Sequence, residues 1–147
     1  MEFKKSEQKS RAVSRITFHS SLPEDSQAIL IISDVHYDSI KCDQRLLRKH
    51  LDEAKQSGAM VLILGDWFDI MATYGDPRSK PQDISSRYSS KDFSYLDMVI
   101  EDSIDYLKPY AANIAMISEG NHETKIKEKH DTDPLHRLVQ GLRPYNS

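Results

Sequence analysis

The chain has 147 residues, enough for one domain with a hydrophobic core of its own. Charged residues make up 29% and the net charge is −3, so nothing draws the chain as a whole to nucleic acid, and a phosphate needs a local site. The single cysteine, Cys42, excludes an internal disulfide and suits a reducing compartment, and no apolar run approaches the roughly 20 residues that cross a bilayer.

Residues 1–14 read as a flexible polar arm. They are basic, but no apolar stretch follows that would make them a secretion signal, and the expectation is a soluble cytoplasmic protein. Residues 15–147 read as one domain. Ile16 and Phe18 alternate with polar neighbours, which suits a short edge strand over 15–19 and a turn over 22–27. Ala28-Ile29-Leu30-Ile31-Ile32 is apolar at consecutive positions, as in a strand covered on both faces. Asp43 is placed to cap a helix running to Ser57, with Leu46, Leu47, His50, Leu51 and Ala54 on one face and Gly58 as its stop. Val61-Leu62-Ile63-Leu64 is the next strand. The polar segment 72–91 follows, and loops of that length in compact domains are usually functional or disordered. From Asp92 a second helix is predicted, with Leu96, Val99, Ile100, Ser103, Ile104 and Leu107 at helical period and Pro109 past its end. Ile114-Ala115-Met116-Ile117 is the third strand. A last short helix is predicted from Asp133 as cap and Pro134 as first position, burying Leu135, Leu138, Val139 and Leu142. The order β-α-β-α-β-α implies an α/β fold with a parallel sheet and right-handed crossovers.

Three short polar clusters sit directly after the three apolar strands: Asp34-Val35-His36, Gly65-Asp66-Trp67-Phe68-Asp69 and Gly120-Asn121-His122-Glu123. A strand that ends in a carboxylate, imidazole or amide delivers that group to the carboxyl edge of the sheet, where open α/β sheets bind ligands. On extended chain Asp34 and His36 point to the same side, with Val35 toward the core. An acid with an imidazole suits Mn²⁺, Fe²⁺ or Zn²⁺ better than Ca²⁺. Gly65 permits a tight turn before Asp66, whose two oxygens can bridge two cations as in two-metal phosphoester cleavage. Asp69 is placed to fix an imidazole in one tautomer. Trp67 and Phe68 read as core. Asn121 offers a neutral oxygen ligand, and His122 is free to donate a proton to a leaving or phosphoryl oxygen. Each cluster alone is also a common turn composition; the ordered conjunction points to one metal site.

Asp34-x-His36, Gly65-Asp66-x-x-Asp69 and Gly120-Asn121-His122-Glu123 resemble the first three motifs of the calcineurin-like metallophosphoesterases, over residues 28–125. The resemblance implies the N-terminal portion of a four-layer αββα sandwich. It also implies two divalent metal ions, with Asp34 and His36 on the first, Asp66 bridging both and Asn121 on the second. His122, oriented by Asp69, would contact the phosphoryl group or leaving oxygen. The surrounding text is most similar to phage and prophage members. Ile70 stands where protein Ser/Thr phosphatases carry an arginine.

The family completes its site with a later His and a Gly-His-x-His segment. Only His130 and His136 follow the third cluster here, in a charged run and a short helix. Two to three protein ligands per metal is fewer than a tight site has. The expectation is therefore a weak or inactive enzyme as this chain, its site completed elsewhere, by a second chain for example, and apolar sheet surface left exposed. In the 72–91 loop, Arg78, Lys80 and Arg87 are candidates for binding the phosphoester substrate. Nucleic acid is a second candidate substrate, because Gly65-Asp66-x-Phe68-Asp69 also resembles the SbcD-type DNA nucleases. A non-catalytic interaction module is the third alternative; a membrane partner is not expected.

Overall fold

A computed structural model describes residues 2–10, 13–19, 26–70, 85–88 and 94–146, the first two stretches as backbone alone. Strands β1 (Glu2–Ser10) and β2 (Val13–His19) pair antiparallel, Glu2 opposite His19 and Ser10 opposite Val13. The segment expected as a polar arm over 1–14 thus contains a paired strand, and the strand expected over 15–19 begins at Val13. Ladder pairing uses only backbone N–H and C=O groups, so a polar sequence is no bar once a neighbouring strand supplies partners.

A separate three-stranded sheet positions the polar clusters. It comprises β3 (Ile29–Ile32), β4 (Met60–Leu64) and β5 (Ile114–Ser118), all parallel, with β4 in the middle. The connections are α1 (Gln44–Ser57) and α2 (Tyr95–Leu107), and α3 (Asn121–His130) and α4 (Pro134–Leu142) follow β5. Among the described residues this is the α/β order that the sequence predicts.

Local chemistry sets the helix ends. Asp43 accepts the Leu46 N–H at 3.0 Å and starts α1, and Gly58 at φ +66° ends it with its N–H on the last carbonyls. Asp133 caps α4 through the His136 N–H at 2.8 Å, with Pro134 in the first position. Asp92, the expected start of α2, lies outside the described residues; the helix begins at Tyr95. Helix α3 is not foreseen from the sequence, because Asn121–His130 has one buried apolar side chain, Ile126, and no amphipathic period.

Leu47, Leu51 and Ala54 of α1, Val99, Ile100 and Leu107 of α2, and Leu135, Leu138 and Leu142 of α4 join Val61 and Ile63 of β4 in one core. Trp67 and Phe68 are completely buried in it, as expected. Burying each such side chain is worth roughly 1.5–3 kcal/mol. Leu46 and His50 are exposed, off the expected face of α1, because only the narrower 47-51-54 stripe meets the core. Strand β3 is also corrected: Ile29 is 46% and Ile31 62% exposed, so one face is bare. Their register partners on β4 are better covered, Met60 buried and Leu62 half-buried, and exposure returns only at Leu64, 38% exposed at the strand end. Among the described residues no helix is long and apolar enough to cross a membrane.

Candidate metal centre

The three clusters are laced together by their backbones where the strands end. The N–H groups of Asp34, His36 and Tyr37 donate to the carbonyls of Gly65, Asp66 and Trp67, at 3.3, 3.1 and 2.8 Å. Gly65 N–H in turn donates to Ser118 at 3.2 Å. Asp34, His36 and Asp66 lie at φ +52°, +48° and +49°, in the left-handed region. The extended-chain alternation expected for Asp34 and His36 is therefore corrected. The two groups converge because left-handed residues bend the chain at each of them, a conformation that costs an ordinary residue about 1–2 kcal/mol. Strain of this kind persists only where the surroundings over-determine it.

Two overlapping groups of donors result. The ligand atoms of Asp34, His36 and Asp66 all lie within 4.8 Å of one another, and so do those of His36, Asp69 and His122. Oxygen and nitrogen donors in this mixture suit a divalent transition ion, so the residues present fit such a metal. His122 N–H donates to Asp66 Oδ1 at 3.0 Å, which ties the start of α3 to the second cluster. Asn121 is the exposed first residue of that helix. The two imidazole rings stand edge to face, 4.8 Å between centroids.

Asp69 serves both rings, by different atoms. Its Oδ1 lies 3.0 Å from His36 Nδ1 and 3.6 Å from His122 Nδ1, while its backbone carbonyl is 2.6 Å from His122 Nδ1. The carboxylate thus sits on His36, and His122 is held mainly through the main chain. Both acceptors call for the hydrogen on Nδ1 and leave the Nε2 lone pair on both rings.

Two glycines let the clusters approach. Gly65 and Gly120 are back to back: a Cβ on Gly65 would lie 3.1 Å from Gly120 Cα, and one on Gly120 would lie 2.1 Å from Asp66 Oδ1. Sequence reasoning assigns no role to Glu123 or Asp38, and both are buried carboxylates gripping backbone. Glu123 accepts from the N–H groups of Gly120, Asp66 and Phe68, at 2.9, 3.2 and 2.9 Å. The available signal is its place three residues past the helix cap, where an acid returns to the cap N–H. Asp38 accepts from the N–H groups of Asp69 and Ile70. No sequence pattern marks it, because its partners, these two main-chain N–H groups and the Tyr95 hydroxyl, are all distant in sequence.

Of the proposed substrate residues, Arg78 and Lys80 lie outside the described residues. Arg87 packs over the rings of Tyr37 and Tyr88, pairs with Asp102 at 3.3 Å, and reaches Gln44 Oε1 and the Tyr37 carbonyl. Its guanidinium is thus already occupied by partners within the chain.

His36 and Asp69 share one ion pair. The Asp69 hydrogen bond raises the His36 imidazole above its ordinary value, against burial. Burial pushes the Asp69 carboxyl up, but the His36 hydrogen bond and the charges of both imidazoles outweigh it and leave it lowered. The His36 contribution to stability is full below about pH 6.5 and is lost as pH rises through the raised value. The Asp69 contribution is full above about pH 4 and is lost as pH falls through the lowered value. Urea denaturation in a chelator should therefore show the stability gap between wild type and Asp69→Asn widest from about pH 4 to about pH 6.5. A gap that does not vary with pH would remove the ion pair.

The family model described as calcineurin-like phosphoesterase matches residues 28–147. The chain belongs to the calcineurin-like phosphoesterase family, and its parallel sheet and helices are consistent with the N-terminal part of that fold. Membership carries phosphoester hydrolysis and divalent-metal binding as the general activity of the class. No curated protein and no solved structure matches the chain significantly.

Proposed function

We propose that this chain is a phosphoester hydrolase with a dinuclear centre of Mn²⁺, Fe²⁺ or Zn²⁺, held by Asp34, His36, Asp66 and Asn121. The observation that carries the proposal is the gathering of the Asp34, His36 and Asp66 ligand atoms within 4.8 Å at the ends of two adjacent strands. Bound divalent cations supply Lewis acidity toward phosphoryl oxygens and a nucleophile at neutral pH.

The chain's own residues do the rest. Asp69 keeps the His36 ring oriented with Nε2 outward. Asp66 spends one oxygen on the His122 N–H, and its other oxygen, with the remaining lone pairs, would hold divalent cations. His122, its Nδ1 hydrogen on the Asp69 carbonyl, presents Nε2; when protonated there, it hands that proton to the leaving oxygen. Arg78 and Lys80 are proposed for the substrate phosphate.

The donor set is thin for two ions. His50, His130 and His136 are exposed and belong to neither ligand group among the described residues. The remaining positions fall to donors other than these four side chains, and the site containing Asn121 suffers most. Calorimetric titration with Mn²⁺ should find one site at least about tenfold tighter than the other, and the loaded chain should cleave an aryl phosphate slowly. Two equally tight sites would refute the thin donor set, and no binding at all would refute the metal centre. Cleavage of duplex DNA in preference to the aryl phosphate would move the chain to the nuclease branch.

A further inference from the structure

We propose that Asp38, which belongs to none of the three polar clusters, is a positioning residue that orients both imidazoles of the centre through the backbone of Asp69. The inference rests on the metal-centre reading. Asp38 is 1% exposed, in the turn two residues past His36. Its Oδ1 accepts the Asp69 N–H at 2.6 Å, and its Oδ2 accepts the Ile70 N–H at 2.9 Å and the Tyr95 hydroxyl.

Each of these bonds fixes something the site needs. Ile70 is a buried, β-branched residue at φ +48°, where its side chain makes the left-handed region especially costly. The Asp38 carboxylate grips the peptide N–H groups on both sides of the Asp69 Cα, next to the left-handed bend at Ile70. From there Asp69 reaches His36 by its carboxylate and His122 by its carbonyl. One displaced backbone would therefore move both rings. The geometry also requires a carboxylate rather than an amide. Both oxygens face N–H donors, so the amide nitrogen of an asparagine would meet one of them donor to donor. Tyr95 adds a hydroxyl from the first turn of α2, linking helix packing to the site.

The test uses the full chain, first free of metal. Two-bond ¹H–¹⁵N correlation at alkaline pH reads the tautomer of each histidine. Wild type should carry the hydrogen on Nδ1 of both His36 and His122, and Asp38→Asn should shift one or both toward the Nε2 form. Titration with Co²⁺ should then show about 10–100-fold weaker binding and an altered visible spectrum at saturation. Tyr95→Phe, which deletes only a hydroxyl, should move the same signals less and carries the test where Asp38→Asn does not fold. Lower thermal stability with unchanged tautomers and spectrum would make Asp38 purely structural and overturn the proposal. A wild type that takes up no Co²⁺ would instead overturn the metal centre, leaving the tautomers to judge Asp38.

Discussion

Asp66→Asn is expected to remove tight metal binding and hydrolysis while leaving the chain folded. The substitution suits the backbone, because Asp66 sits at φ +49° and asparagine is among the few residues that enter the left-handed region readily. The asparagine oxygen still accepts the His122 N–H, so the tie to α3 survives. What disappears is the negative charge and the second oxygen on which the proposed bridging role depends. Residues that merely support a metal ligand are worth about 10–100-fold in affinity, and a charged ligand in direct contact exceeds that range. Mn²⁺ calorimetry should therefore show at least a roughly 100-fold loss, with an unchanged far-ultraviolet dichroism spectrum. Wild-type affinity in the variant would strike Asp66 from the ligand set.

Gly120→Ala is the second large effect, and it acts by volume. The added Cβ would lie 2.1 Å from Asp66 Oδ1, 2.3 Å from Asp66 N and 2.6 Å from Asp66 Cγ. Two of these atoms could swing away with the side chain, but the amide nitrogen belongs to a backbone pinned by Glu123 and by the strands on either side. The second and third clusters must separate. Overpacking of this kind costs about 1–3 kcal/mol, and here the displaced atoms include a proposed metal ligand. Thermal denaturation and Co²⁺ titration should both show the damage. Gly58→Ala is the matched control: it sits at φ +66° with nothing within 4 Å of the new methyl. It should cost about 1–2 kcal/mol of stability and leave metal binding alone.

Much of this organisation is legible in the sequence because it rests on short-range signals. Strand β4 could be read from a run of four apolar residues, and α1 and α4 from Asp43, Gly58 and the Asp133-Pro134 pair, each of which acts within a turn of itself. The polar clusters were visible for the same reason, each following an apolar run. The rest depended on partners far along the chain. The left-handed bends at Asp34 and His36 arise from carbonyls of residues 65 and 66, and nothing in Asp-Val-His announces them. Helix α3 is polar at every position but Ile126, and its start is fixed by Asp66 from across the site, together with its own Glu123 at the cap, rather than by an apolar periodicity. The pairing of Asp69 with His36, where the family resemblance points to His122, is a matter of distances between loops.

Trp67 is the only tryptophan in the chain, and it follows Asp66 directly. Its indole is fully enclosed, stacked on Tyr37 at 5.2 Å between centroids, with Nε1–H donated to Ser103 Oγ at 3.0 Å. Emission from this one fluorophore should accordingly be blue-shifted and homogeneous, and it originates beside the loop that carries the central carboxylate. A paramagnetic cation seated there would dim it, so occupancy and unfolding can both be followed optically in unlabelled protein.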